Sequence, residues 1–156
     1  MTFSSGSAIK DPYKNFRFRV RWDDKVVAGI SRISALRRTT SVVEHRAGDE
    51  PRPSHKSPGR TSFEAITLER GLTDDLDFHQ WALKVWNAES GGPIDDFHKD
   101  ILIEFCNDAG KVVITFLVRR CWVSAFQALP ELDALGNGVA IESITLEHAG
   151  CERSQG

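Results

Sequence analysis

The stretch Asn15-Phe-Arg-Phe-Arg-Val-Arg-Trp22 alternates without a break between apolar and basic residues. Successive strand side chains point to opposite faces, so Phe16, Phe18, Val20 and Trp22 share one face and Arg17, Arg19 and Arg21 the other. The segment reads as a strand with one face for a core and one cationic face. Asp23-Asp24 offers a turn, and Val26–Ile33 reads as a partner strand interrupted at Gly29, where a bulge or close backbone approach is expected.

Working outward, strand-like runs recur at Thr40–His45, Phe63–Arg70, Asp100–Cys106, Lys111–Val118 (continued by Arg119–Val123) and Val139–Glu147. Asn107-Asp-Ala-Gly110 lies between two β-rich runs and reads as a hairpin turn. Val112, Ile114, Phe116 and Val118 share one face, with Val113, Thr115 and Leu117 opposite, so this strand is expected to be covered on both sides. Residues 125–133 read as looser. Helical periodicity is confined to Phe78, Trp81, Ala82, Val85 and Trp86, an i, i+3, i+4, i+7, i+8 stripe. The spacing predicts a helix over 74–89, with Thr73 as N-cap and Asp74, Asp75 and Asp77 at the positive end of its dipole. Gly91-Gly-Pro93 should stop it. Some seven strands and one helix predict a mainly β (α+β) domain. It would be two packed antiparallel sheets or a partly open β-barrel, with one flanking α-helix. Such folds leave edge strands that must be closed, covered or paired.

Between the strand-like runs Thr40–His45 and Phe63–Arg70 lies a polar excursion, Arg46 to Thr61, with almost nothing apolar to bury. Most connections in compact domains run about 4–6 residues. The excursion therefore reads as an arm whose ordering partner lies outside the monomer. Residues 1–14 read as a flexible lead-in, 15–150 as one domain, and 151–156 as a mobile tail.

Bulk properties narrow the function classes. A chain of 156 residues with 40% hydrophobic and 27% charged residues is an ordinary single globular domain. Its net charge of −2 argues against bulk nucleic-acid affinity. No apolar run approaches the roughly 18 residues of a membrane span, and the first ten residues lack the basic and apolar regions of an export signal. Cys106, Cys121 and Cys151 are odd in number and lack CxxC spacing, which favours free thiols in a reducing compartment. His45, His55, His79, His98 and His148 never fall at metal-ligand spacing. Capping accounts for the Asp74–Asp77 acids without a ligand. Neither a nucleophile elbow, a dinucleotide fingerprint nor a P-loop is present, so nothing points to an enzyme, a metal or a cofactor. A single-strand nucleic-acid platform needs aromatics and cations on the same exposed face, whereas here they oppose one another. A solvated face, or one paired to acids on a neighbouring strand, is the simpler reading of the arginine stripe.

Val42-Val-Glu-His45, Lys56-Ser-Pro-Gly-Arg60 and Ile66-Thr-Leu-Glu-Arg-Gly71 followed by Phe78-His-Gln-Trp81 resemble the tail-tube proteins of contractile phages and phage-like contractile injection systems. Asp11-Pro-Tyr-Lys-Asn-Phe-Arg-Phe18, the Asn107–Gly110 hairpin, Ala128-Leu-Pro130 and Val139-Ala-Ile-Glu142 fall in that family's order, so the resemblance runs from about residue 11 to 150. It implies hexameric rings stacked into a hollow inner tube, surrounded by a contractile sheath. Partners would then be like copies, sheath subunits, baseplate and tail-terminator proteins, and luminal cargo or a tape-measure protein, with no membrane in the resting state. The chain would be made in the cytoplasm and become part of the particle. The inter-subunit arm would comprise Glu44, His45, Arg46, Asp49, Lys56, Pro58, Gly59 and Arg60. Arg17, Arg19 and Arg21 would lie on a polar wall face, either lumenal or exterior. The alternatives are an accessory adaptor ring between tube and baseplate, and a β-barrel nucleic-acid-binding module.

Overall fold

Residues 17–45, 48, 55–89, 91, 97–136 and 138–155 are described by the computed structural model. The expected lead-in, Phe16, Gly92-Pro93, Arg46 and Asp49 lie outside them. Ten strands and one helix follow in the order β1 (Arg17–Trp22), β2 (Lys25–Val27), β3 (Ile30–Ile33), β4 (Arg38–His45), β5 (His55–Phe63), β6 (Ile66–Gly71), α1 (Asp77–Glu89), β7 (Lys99–Cys106), β8 (Val112–Gln127), β9 (Ile141–Glu147) and β10 (Cys151–Gln155). Every pairing is antiparallel.

The long strand β8 builds the sandwich by serving two sheets. Its first part lies between β7 and β10, with Val118 opposite both Ile101 and Cys151. Its second part pairs with β9, from Trp122↔Glu147 to Gln127↔Ser143. The switch falls at Arg120, whose φ of 51° is left-handed. Arg120 N–H donates to the Asp100 carboxylate at 2.8 Å, which holds this unusual corner. The first sheet runs β2-β1-β7-β8-β10 and the second β8-β9-β6-β3. The two ends of this path, β2 and β3, do not pair, so no closed barrel forms.

Gly29 has a related part. Its φ of 76° lets the chain leave β2 in the first sheet and enter β3 in the second. The single interrupted strand expected over Val26–Ile33 is therefore two strands in different sheets. The alternation of β1 holds, with Val20 and Trp22 buried. They join Ile101, Ile103 and Val118 from the first sheet, Ile66, Leu68, Ile144 and Leu146 from the second, and Phe78 and Trp81 from α1 in one core. The Trp22 and Trp81 rings meet at a tilt with centroids 5.0 Å apart, fixing the helix over the sandwich.

Four expectations are corrected. The helix begins at Asp77 rather than 74, because Leu76 C=O accepts the first helical bond from Gln80 N–H at 2.8 Å. Thr73 instead accepts from Asp75 N–H at 3.0 Å, and the Asp75 carboxylate from Asp77 N–H at 2.9 Å, two turns that lead into the helix. The expected mobile tail contains a strand, since Cys151–Gln155 forms β10 on β8. The looser stretch begins later, because β8 continues to Gln127. Coverage of β8 is unequal, with Ile114 and Val118 buried but Val113, Thr115 and Leu117 only half-buried. The Asn107–Gly110 hairpin is as expected, with Gly110 at φ 81° and the Asn107 side chain accepting from Ala109 and Lys111 N–H at 3.0 Å each.

Candidate assembly surfaces

Part of the polar excursion is strand. Residues from His55 onward form β5, which pairs with β4 from His45↔His55 to Arg38↔Phe63. This hairpin joins no other strand among the described residues, and every residue of β4 is exposed. Glu44 and His45 close its outer end, while Lys56, Pro58, Gly59 and Arg60 lie along β5. Isolated two-stranded hairpins are at best marginally stable in water. This one is knit by polar contacts, Thr40 to Thr61 hydroxyls at 2.9 Å, His45 Nε2 to Ser57 Oγ at 3.1 Å, and Arg60 N–H to Ser41 Oγ at 2.8 Å. Gly59 has a steric reason, because a Cβ there would sit 2.4 Å from Ser41 Oγ and 2.9 Å from Val43 Cγ2. The arm is rooted on the body where Glu64 N–H donates to Arg37 C=O at 3.0 Å and His148 Nε2 meets Glu64 C=O at 3.0 Å.

The arginine stripe lies on the outer face of the first sheet. Arg19 stands directly opposite Glu104 on β7, with Nε 3.0 Å from Oε1, and Arg21 approaches the same oxygen at 3.6 Å. Glu104 is buried at 8% exposure, so the two guanidinium groups supply the charge that its ionised form requires. Arg17 is exposed at the start of β1. The outer rows run Arg19-Glu104-Thr115-Ser154 and Arg21-Leu102-Leu117-Glu152 across β1, β7, β8 and β10. Glu152, at the β10 margin, pairs with Arg119 at 2.6 Å.

A buried ionic node was not singled out from the sequence. Arg70 is fully buried and donates through Nε to Glu142 at 2.5 Å and through NH2 to Asp75 C=O at 2.8 Å. NH1 reaches Ala28 C=O at 3.3 Å, and the guanidinium lies 4.1 Å from the Phe78 ring centroid. One side chain thus ties β6 and β9 to the β2–β3 crossing and to the approach of α1. The alternation that places Ile66 and Leu68 inward also places Arg70 inward, which was the available signal.

Other polar chemistry is structural. Asp77, buried at the helix start, accepts from Lys25 Nζ at 2.8 Å, and this hydrogen bond and charge raise the Lys25 pKa. The Cys121 thiol is pushed up to about 12, first by burial and then by the Asp100 charge. Among the described residues no cluster of His, Cys, Asp or Glu could hold a metal, and no helix is long and apolar enough to cross a membrane. All three cysteines are free thiols.

An open antiparallel sandwich with a covering helix and a projecting hairpin defines a tail-tube-like fold. The chain belongs to the family of T4-like virus tail tube protein gp19, whose model matches residues 14–152. It is similar to a chain of the sheath–tube complex of the extracellular contractile injection system PVC in its extended state, at 26% identity, TM-score 0.76 and 99% coverage of both chains. It is also similar to a chain of the anti-feeding prophage tube-terminating cap, at 26% identity and TM-score 0.78, over 96% of this chain and 95% of that one. Hcp1 from Flavobacterium johnsoniae shares the fold at 11% identity and TM-score 0.55, over 89% of this chain and 95% of that one. No curated protein matches the sequence.

Proposed function

We propose that the chain is the repeating subunit of the inner tube of a contractile injection particle, closing into hexameric rings that stack as a hollow conduit. The observation that carries this reading is incompleteness of the monomer. Among the described residues both sheets end in open margins, at β2 and β10 in the first and at β3 and the second part of β8 in the second. The hairpin β4–β5 projects beyond them. Open margins are templates for pairing with another chain, and a ring formed by side-to-side pairing leaves none free. A ring needs a heterologous contact that closes, and a stack needs a second one that does not.

The similarity to a chain from a PVC sheath–tube complex supports a surrounding sheath whose contraction propels the tube. Similarity to a tube-terminating cap chain, and a shared fold with a chain of the anti-feeding prophage baseplate, keep the adaptor-ring reading as the second one. In either role the polar outer face of the first sheet, with Arg17, Arg19 and Arg21, is a candidate lumenal wall. Unchanged cargo loading in normal tubes carrying glutamate at all three positions would remove that assignment.

Negative-stain imaging of the purified chain over a concentration series tests the function. Filaments with an axial channel indicate a tube subunit, and isolated rings an adaptor. A persistent monomer contradicts both.

A further inference from the structure

We infer that the segment before β1, residues 1–16, closes the open end of its own sandwich, with Phe16 filling an apolar cavity between the two sheets and Tyr13 covering its mouth. This closure is a property of the single chain, beyond the tube reading and independent of it.

Burial on the inner face of the first sheet is complete at one end and broken at the other. Val20, Ile101 and Val118 are fully buried, and Ile103 is 3% exposed. Two residues further along these strands, on the same face, Phe18, Phe105 and Phe116 are only half-buried. The three rings, with Ile103, Ile33 and Leu36, line a cavity of about 400 Å³. Its walls are fixed. Phe105 and Phe116 meet edge to face at 5.9 Å. Across from them, Ser34 N–H donates to Thr67 C=O at 3.0 Å and Ser34 Oγ accepts from Thr67 N–H at 2.7 Å, which pins the stretch after β3 to β6. A preformed apolar cavity of roughly 300–1,000 Å³ is the kind that takes up an apolar group.

The place where the chain enters β1 identifies the occupant. Phe18 lines the cavity, and β1 begins one residue before it, at Arg17. Alternation assigns Phe16 to the face of Phe18 and Val20, and Arg17 and Arg19 to the other. The approach is open, because β2 pairs with β1 only at Val20–Trp22. Among the described residues, Arg17–Arg19 therefore have a neighbouring strand on the β7 side alone. Asp11-Pro-Tyr-Lys14 has aspartate in the first and proline in the second position of a type I turn. A reversal there keeps Tyr13 near Phe16 instead of carrying it away at about 3.3 Å per residue.

Tethering decides between this segment and other occupants. Phe16 is joined through one residue to the strand that forms the cavity wall, so it acts at an effective concentration on the order of millimolar or more. A free apolar molecule or a second copy at micromolar concentration competes poorly with that. The closure also braces the stretch from which the hairpin springs, because Leu36 lines the cavity and β4 begins at Arg38.

NMR of the full chain, at concentrations where size-exclusion chromatography shows only monomer, tests the closure. Phenylalanine-labelled protein should show ring-to-ring contacts from Phe16 to Phe105 and Phe116. Phe16→Ala should abolish them, lower Tm by roughly 5–10 °C, and raise the fluorescence of added anilinonaphthalene sulfonate by roughly threefold or more as the cavity empties. Phe16→Leu should restore most of the Tm and keep the dye out, and Phe3→Ala should change neither. A Phe16→Ala chain that melts and binds dye like the unmodified one overturns the closure, since the cavity is then not filled from this segment. Ring contacts or a loss of Tm seen only at concentrations where oligomers form assign the cavity to a second copy and also overturn it. None of these results depends on filaments, so imaging alone decides the tube reading.

Discussion

Replacing Arg70 by leucine removes the cation from a pair whose carboxylate partner, Glu142, is only 5% exposed. Breaking a buried pair from one side costs about 3–5 kcal/mol, because the remaining charge is left uncompensated. The other acceptors add little, since Ala28 is exposed and Asp75 half-buried, so water can replace the guanidinium there. Leucine also keeps apolar contact with Phe78, although the guanidinium–ring interaction goes. For a domain of this size each kcal/mol moves Tm by about 2–4 °C, so a fall of roughly 6–20 °C is expected. The partner variant decides the cause. Arg70→Leu with Glu142→Leu replaces both charges by apolar groups, and such exchanges are often neutral or stabilising by about 1–4 kcal/mol. Urea denaturation at concentrations where size-exclusion chromatography shows only monomer measures all three proteins without interference from polymer. If the double variant is as unstable as Arg70→Leu alone, the loss does not come from a stranded Glu142 and the reasoning is refuted.

Gly59→Ala should force Ser41 to turn away and lose its bond to Arg60 N–H, at about 1–2 kcal/mol. The effect should be local, with exchange of the β5 amides about 5–30-fold faster and the melting of the body unchanged; a lowered body Tm would contradict an independent arm. Cys121 gives an alkaline signature. Its folded pKa, about 12, lies above the ordinary 9.0, so the unfolded chain loses this proton first. Stability from the thiol is then complete below pH 9 and declines by up to about 1.4 kcal/mol per pH unit towards pH 12. Cys121→Ala should flatten that limb, and parallel limbs for both proteins would contradict the assignment. Arg19→Gln with Arg21→Gln leaves Glu104 without cations and should destabilise the chain by about 1–3 kcal/mol, with Glu104→Gln restoring most of it in a denaturant titration.

The sequence by itself determined that β1 is a strand with a cationic outer face, that Asn107–Gly110 turns a hairpin, and that one amphipathic helix covers a β-rich core. These features are local, because a period of two or of 3.6 and the demands of a tight turn are written within a few residues. It also marked residues 46–61 as a polar excursion with almost nothing apolar to bury, but not that residues 55–61 form strand paired with β4. Pro58 and Gly59 in a polar run hide β5, whose conformation comes from pairing with β4 rather than from its own propensity. Only the tertiary structure decided that Arg120 turns β8 from one sheet into the other, that Gly29 separates β2 from β3, and that residues 151–155 close a flank of β8. It alone set Arg70 against Glu142, residues 72 apart. Strand order and pairing register arise from contacts between distant segments, which no short window of residues can encode.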